Sequence, residues 1–153
     1  MSLLGNMHLR EEKERIFCTF PYFEKIPFLL HGCSTRFGGI SEGVYQSLNL
    51  GLKTYDDHQR VLTNIKIFAQ AIGAEANRLV LSDQTHTNHI RVVGKEDAGK
   101  GFCKAPDYHD IDGMITAETN LPLLIFAADC VPILFVDPVK RVIGAAHAGW
   151  RGT

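Results

Sequence analysis

Apolar and polar positions along the chain switch between two periods, and the switches mark out its elements. In YDDHQRVLTNIKIFAQAIG, the residues Val61, Leu62, Ile65, Phe68, Ala69 and Ile72 recur three to four positions apart, which predicts one amphipathic helix. Asp56 or Asp57 is placed to cap its first turn and Gly73 to end it. That helix is expected to pack on a sheet. Strands are predicted at FLLHGCSTR (28–36), RLVLSDQTH (78–86), HIRVV (89–93) and the apolar run 121–128. VPILFVD and KRVIGAAH read as a hairpin joined through Asp137-Pro138. Many strands with few helices predict an α+β fold rather than a doubly wound one.

Between these elements, FGGISEGVYQSLNLG (37–51) is a Gly/Ser/Asn-rich loop too long for a simple turn, and loops of that length are often functional. The last strand has nothing after it to cover it, so the 153 residues are expected to form a single domain lacking its C-terminal part. Residues 1–10 read as a flexible or expression-derived N-terminus.

Charge narrows the function. Sixteen Lys and Arg against 17 Asp and Glu leave a net charge of −1, with no footprint for nucleic acid or an anionic membrane. The longest apolar stretch, 121–136, is broken by Asp129 and two prolines and is too short to span a bilayer. Four irregularly spaced cysteines without a secretion signal read as thiols, and the protein is expected in the cytoplasm with a small-molecule partner.

Two segments carry candidate chemistry. GKEDAGKG (94–101) matches a phosphate-binding loop, but Gly101 stands where magnesium binding needs Ser or Thr, and no helix is predicted behind it. The second is spread over three strand ends: His86 closes LSDQTH, Cys130 lies in FAADCVP, and His147 opens HAGWRG. One thiolate and two imidazoles are a ligand set for catalytic zinc that leaves a fourth position open. Asp83 and Asp129 are candidate acceptors to orient a ligand imidazole. A cysteine in an apolar run and single histidines are equally what a core and a surface contain, so both readings stand on spacing alone.

The segments STRFGGISEGVYQSLNLG, DQTH, DGMIT, ADCVPILFVD and HAGWRGT resemble, in that order, the YfiH-like family of laccase-domain proteins, later assigned as purine nucleoside phosphorylases. The resemblance covers residues 28–153 and implies mixed β-sheets with outer helices in an α/β/β/α-type sandwich, related to toxin deamidases. It implies zinc on His86, Cys130 and His147, with these residues catalytic. It also implies phosphorolysis of adenosine, inosine, guanosine and methylthioadenosine, together with adenosine deamination. Arg36, Asn49 and Gln84 match motif positions on the substrate side. Two departures stand out: Thr85 and Thr87 flank His86 where the family usually has Val and Gly, and family members run on well beyond the HAGWRG motif.

Phosphorolysis needs phosphate held against C1′ while positive charge develops on the ribose. Arg36 and Arg151, or backbone N–H groups near Gly149 and Gly152, are the candidate donors. Trp150 is expected to act as a packing lid. Two other chemistries remain open: a copper-dependent polyphenol oxidase, which would want an axial methionine, and a metal-free hydrolase or deamidase with Cys130 as nucleophile and His147 as base.

Overall fold

The computed structural model describes residues 7–12 and 15–151. The chain divides into two compact units, residues 1–74 and 75–153. With few helices and several sheets, the architecture is α+β.

In the first unit, β1 (His8–Glu12) pairs antiparallel with β2 (Arg15–Thr19), and β3 (Cys33–Ser34) adds to the other edge of β2. Of the N-terminal residues expected to be flexible, His8, Leu9 and Arg10 are strand residues opposite Thr19, Cys18 and Phe17. Residues 1–6 lie outside the described residues. A single turn, α1 (Pro21–Glu24), opens on proline, whose fixed φ and missing N–H suit a first helical position. The strand expected over 28–36 shrinks to Cys33–Ser34. Pro27 has no N–H for a ladder, and the Leu29 N–H turns back to the Ile26 carbonyl at 3.1 Å.

The predicted helix forms as α2 (His58–Ala71). Asp57 caps it by accepting the Arg60 N–H at 3.0 Å, and Gly73 follows in the left-handed region at φ 80°. Its buried side holds Val61, Ile65, Phe68 and Ala69, and also one polar residue, Asn64. The Asn64 amide donates to Ser41 Oγ and to the carbonyls of Ser47 and Asn49, and its Oδ1 accepts the Ile40 N–H. One helix residue thus satisfies the loop that the sequence singled out. Gly39 lets the chain pass there, since a Cβ on it would run into the backbone of Ser47 and Leu48.

In the second unit, β4 (Val80–Leu81) pairs parallel with β7 (Leu123–Leu124). A four-stranded sheet combines β5 (Ile90–Val92), β6 (Gly113–Thr116), β8 (Val131–Asp137) and β9 (Val142–Ala148) in the order β5-β6-β9-β8. The predicted hairpin is β8-β9, closed by Asp137 Oδ1, which accepts the N–H groups of Val139 and Lys140. Period-two alternation puts Met114, Thr116, Ala145 and His147 on the buried face of the sheet. Ile90, Val92, Ile115 and Phe135 stand exposed on the other. Val80, Val93, Tyr108, Met114 and Leu121 form the apolar cluster.

Two strand expectations change here: the strand expected over 78–86 forms only at Val80–Leu81. The strand expected over 121–128 is only Leu123–Leu124, and beyond it a side chain takes the place of a neighbouring strand. The Gln84 amide donates to the Phe126 carbonyl at 2.6 Å and accepts the Phe126 N–H at 2.7 Å. The segment 94–101, whose phosphate-loop match already fails at Gly101, wraps around a carboxylate of its own, with Asp97 accepting the Gly94 N–H and the Lys100 ammonium. No helix among the described residues is long and apolar enough to cross a membrane.

Candidate metal centre

His86, Cys130 and His147 meet in the second unit, their ligand atoms all within 4.8 Å of one another. Each arrives by a different local device. His147 is the sixth residue of β9, delivered to the buried face by the alternation that buries Ala145, and it pairs across the hairpin with Pro132. Cys130 immediately precedes β8. His86 follows a short strand in a turn and takes a backbone φ of 65°, in the left-handed region.

The rings of the two histidines stand edge to face with centroids 4.8 Å apart, and His86 Nε2 lies 3.9 Å from Cys130 Sγ. His147 is buried, Cys130 half-buried and His86 exposed, so the group sits at the surface with one open side. The donors fit a metal of the zinc kind. Tetrahedral bonds of about 2.0 Å to nitrogen and about 2.3 Å to sulfur place N and S about 3.5 Å apart, a few tenths of an ångström inside the separation found here. Gly149 closes the floor, because a Cβ on it would stand 3.0 Å from His86 Cδ2, 3.4 Å from His147 Cε1 and 3.6 Å from Cys130 Sγ.

The acceptor that orients the His147 ring is neither Asp83 nor Asp129. Asp83 lies 3.3 Å from His109 Nδ1, and Asp129 is exposed. That place is taken by Asp112, the residue before β6. Its Oδ1 accepts Nδ1–H of His147 at 2.7 Å and the backbone N–H of His86 at 3.1 Å. Its Oδ2 accepts the N–H groups of Thr85 and Thr87 and the Thr87 hydroxyl. Its carbonyl takes the His147 N–H at 2.7 Å. Burial pushes the Asp112 carboxyl up, but the Thr87 and Thr85 N–H groups, the His147 ring and the Thr87 hydroxyl outweigh it and hold it at about 2. In the sequence Asp112 opens DGMIT, one of the segments of the family resemblance, but as an Asp-Gly pair before a strand it reads as a turn and takes no role.

The remaining candidate residues are placed as follows. Gln84 bridges Ser82 and Phe126. Arg36, in the first unit, donates through Nε and a terminal nitrogen to the Gln46 carbonyl. Asn49, also in the first unit, donates to Asp56 and Thr54. Arg151 lies over the ring of Trp150, 4.8 Å from its centroid, and Trp150 is 81% exposed rather than packed as a lid. Gly152 is outside the described residues. Cys18 is buried, Cys33 partly buried and Cys103 exposed, all three as free thiols.

The family described as multi-copper polyphenol oxidoreductase laccase matches residues 30–153. Purine nucleoside phosphorylase YlmD of Bacillus subtilis strain 168 is 40% identical over 129 residues, covering 82% of this chain and 45% of the relative. A purine nucleoside phosphorylase of Streptomyces coelicolor is 40% identical over 121 residues, covering 79% of this chain and 48% of its own length. The crystal structure of the hypothetical protein YfiH from Bacillus licheniformis superposes with a TM-score of 0.82 at 35% identity, covering 94% of this chain and 53% of that one. YlmD from Geobacillus stearothermophilus superposes with a TM-score of 0.80, also at 35% identity, covering 96% and 53%. The chain spans about half the length of these relatives.

Proposed function

The chain belongs to the multi-copper polyphenol oxidoreductase laccase family, and from that premise we propose that it acts as a zinc-dependent purine nucleoside phosphorylase with adenosine deaminase activity. The observation that carries this reading is the meeting of His86, Cys130 and His147 with the Asp112 carboxylate on the back of His147. The proposed substrates are adenosine, inosine, guanosine and methylthioadenosine, each with phosphate, acted on in the cytoplasm. The family's relatives named as purine nucleoside phosphorylases support the assignment.

Zinc suits the donors better than copper does. A blue-copper site adds a weak axial methionine to His₂Cys, whereas Met114 is buried in the apolar cluster with Val80, Val93, Tyr108 and Leu121. When bound, zinc supplies a Lewis acid. The chain's own residues do the rest. Nδ1–H of His147 is engaged by Asp112, which leaves Nε2 as its donor atom. Gly149 keeps a side chain out of the space beside all three ligands. In phosphorolysis a phosphate oxygen bonds C1′ as the bond from C1′ to the purine breaks. Within the second unit, the Arg151 guanidinium is assigned to the phosphate and Gln84 to shaping the substrate side.

Metal analysis of the purified protein beside Cys130→Ala, with inosine plus phosphate and adenosine as paired assays, tests this. About one zinc per chain, lost in the variant together with ribose-1-phosphate and ammonia release, is the expected result. Copper with oxidation of a polyphenol would overturn it in favour of the oxidase. A second reading, a metal-free hydrolase with Cys130 as nucleophile and His147 as base, draws support from the Asp112 carboxylate behind His147, with His86 Nε2 also 3.9 Å from Cys130 Sγ. Absence of metal with rapid labelling of Cys130 by a thiol reagent would favour it.

A further inference from the structure

We infer that Asp112 is the positioning residue of this centre, a single buried carboxylate that fixes the ring of one histidine ligand and the backbone of the other, so that the donors stand in place before a metal arrives. The inference rests on the proposed metal reading for its consequence but not for its geometry.

Three successive N–H groups, those of Thr85, His86 and Thr87, converge on the two oxygens of Asp112. A run of backbone N–H groups turned to one side makes a concave anion site. Here the anion is a side chain of the same unit. The turn so organised is the one that carries His86 at φ 65°, a left-handed conformation that non-glycine residues take only against a steric cost. Asp110 also braces this turn, accepting the Thr85 and Thr87 hydroxyls, but among the described residues the three backbone N–H groups go to Asp112.

The same carboxylate acts on His147 through the ring. Accepting Nδ1–H at 2.7 Å selects the tautomer whose lone pair is on Nε2, while the Asp112 carbonyl accepts the His147 N–H. Ring and backbone of His147 are therefore tied to one residue, and through it to the turn of His86. A carboxylate behind a histidine ligand generally fixes its orientation and raises its basicity. Here Oδ1 serves both histidines at once.

The role excludes the isosteric amide. The carboxylate accepts five hydrogen bonds through two oxygens. Asparagine has one accepting oxygen, and its NH₂ would face donors whichever way it turned. Glutamate keeps both acceptors and the charge but moves them by one methylene.

The experiment follows the His147 imidazole by ¹⁵N-¹H NMR in the metal-free protein, assigned with His147→Gln, and then measures zinc affinity by competition with a chromophoric chelator. In the unsubstituted protein His147 is expected as the Nδ1–H tautomer. The opposite tautomer there would overturn the inference without any variant. Asp112→Asn is expected to mix the tautomers and to weaken zinc binding by about 10- to 100-fold. Asp112→Glu is expected to weaken it less, and it serves if Asp112→Asn does not fold. Unchanged tautomer and affinity in the folded variants would mean that Asp112 only supports the fold. If the unsubstituted protein binds no zinc, the metal reading falls, and the tautomer measurement still decides the role of Asp112.

Discussion

Asp112 and His147 are both buried and share two hydrogen bonds of 2.7 Å, one from the ring to the carboxylate and one from the backbone N–H to the carbonyl. This double attachment binds the end of β9 to the start of β6, neighbours in the sheet, and makes the candidate centre an extension of its hydrogen bonding. The centre is correspondingly sensitive to small changes in shape.

Gly149→Ala tests that sensitivity. Its Cβ would press on His86 at 3.0 Å and lie against His147 and Cys130. Overpacking of this kind costs about 1–3 kcal/mol when the neighbours cannot move, but His86 is exposed and can give way. The expected outcome is a modest fall in melting temperature with a weakened zinc affinity, seen by calorimetry and chelator competition. Unchanged affinity would mean that the ligands tolerate the displacement.

Asn64→Ala is expected to destabilise the protein by about 2–4 kcal/mol, because it strips partners from the part-buried Ile40 N–H and from carbonyls of the 37–51 loop. Urea unfolding measures the loss, and limited proteolysis should find new cleavage within that loop. Resistance equal to the unsubstituted protein would contradict the anchoring role.

Acid should release Asp97. Burial pushes its carboxyl up, but the Lys100 ammonium, the Gly94 N–H and the Arg91 guanidinium overcome that and hold it below its ordinary 3.8. A value lowered in the native state means stability that is present above 3.8 and is lost as the pH falls through the folded value. The urea midpoint of the protein should therefore exceed that of Asp97→Asn at neutrality, and the gap should close as the pH drops below 3.8. A constant gap would place the stabilisation elsewhere.

Much of this molecule can be read from its sequence where the signal is local. The helix at 58–71 and the hairpin at 131–148 follow from periodicity, a cap and a turn residue. His86, Cys130 and His147 stood out because an imidazole or a thiol at the end of an apolar strand breaks the pattern around it. Asp112 did not, since its partners lie 25 to 35 residues away in sequence and its own neighbours look like an ordinary turn. Asn64 was hidden for another reason: a polar residue in a helix reads as a solvent-facing position, and only the loop folded against it shows otherwise. Gln84 replaces a strand neighbour for Phe126, a substitution of side chain for backbone that no periodicity encodes.

The left-handed backbone at His86 sets the interests of the fold against those of the chemistry. Glycine would occupy that position without strain, so a chain selected for stability alone would drift toward it. His86→Gly should accordingly be more stable in the metal-free state than His86→Ala by about 1 kcal/mol in urea unfolding, while both lose the ligand. An imidazole kept at such a position marks a place where folding stability is given up so that a reactive group can face outward.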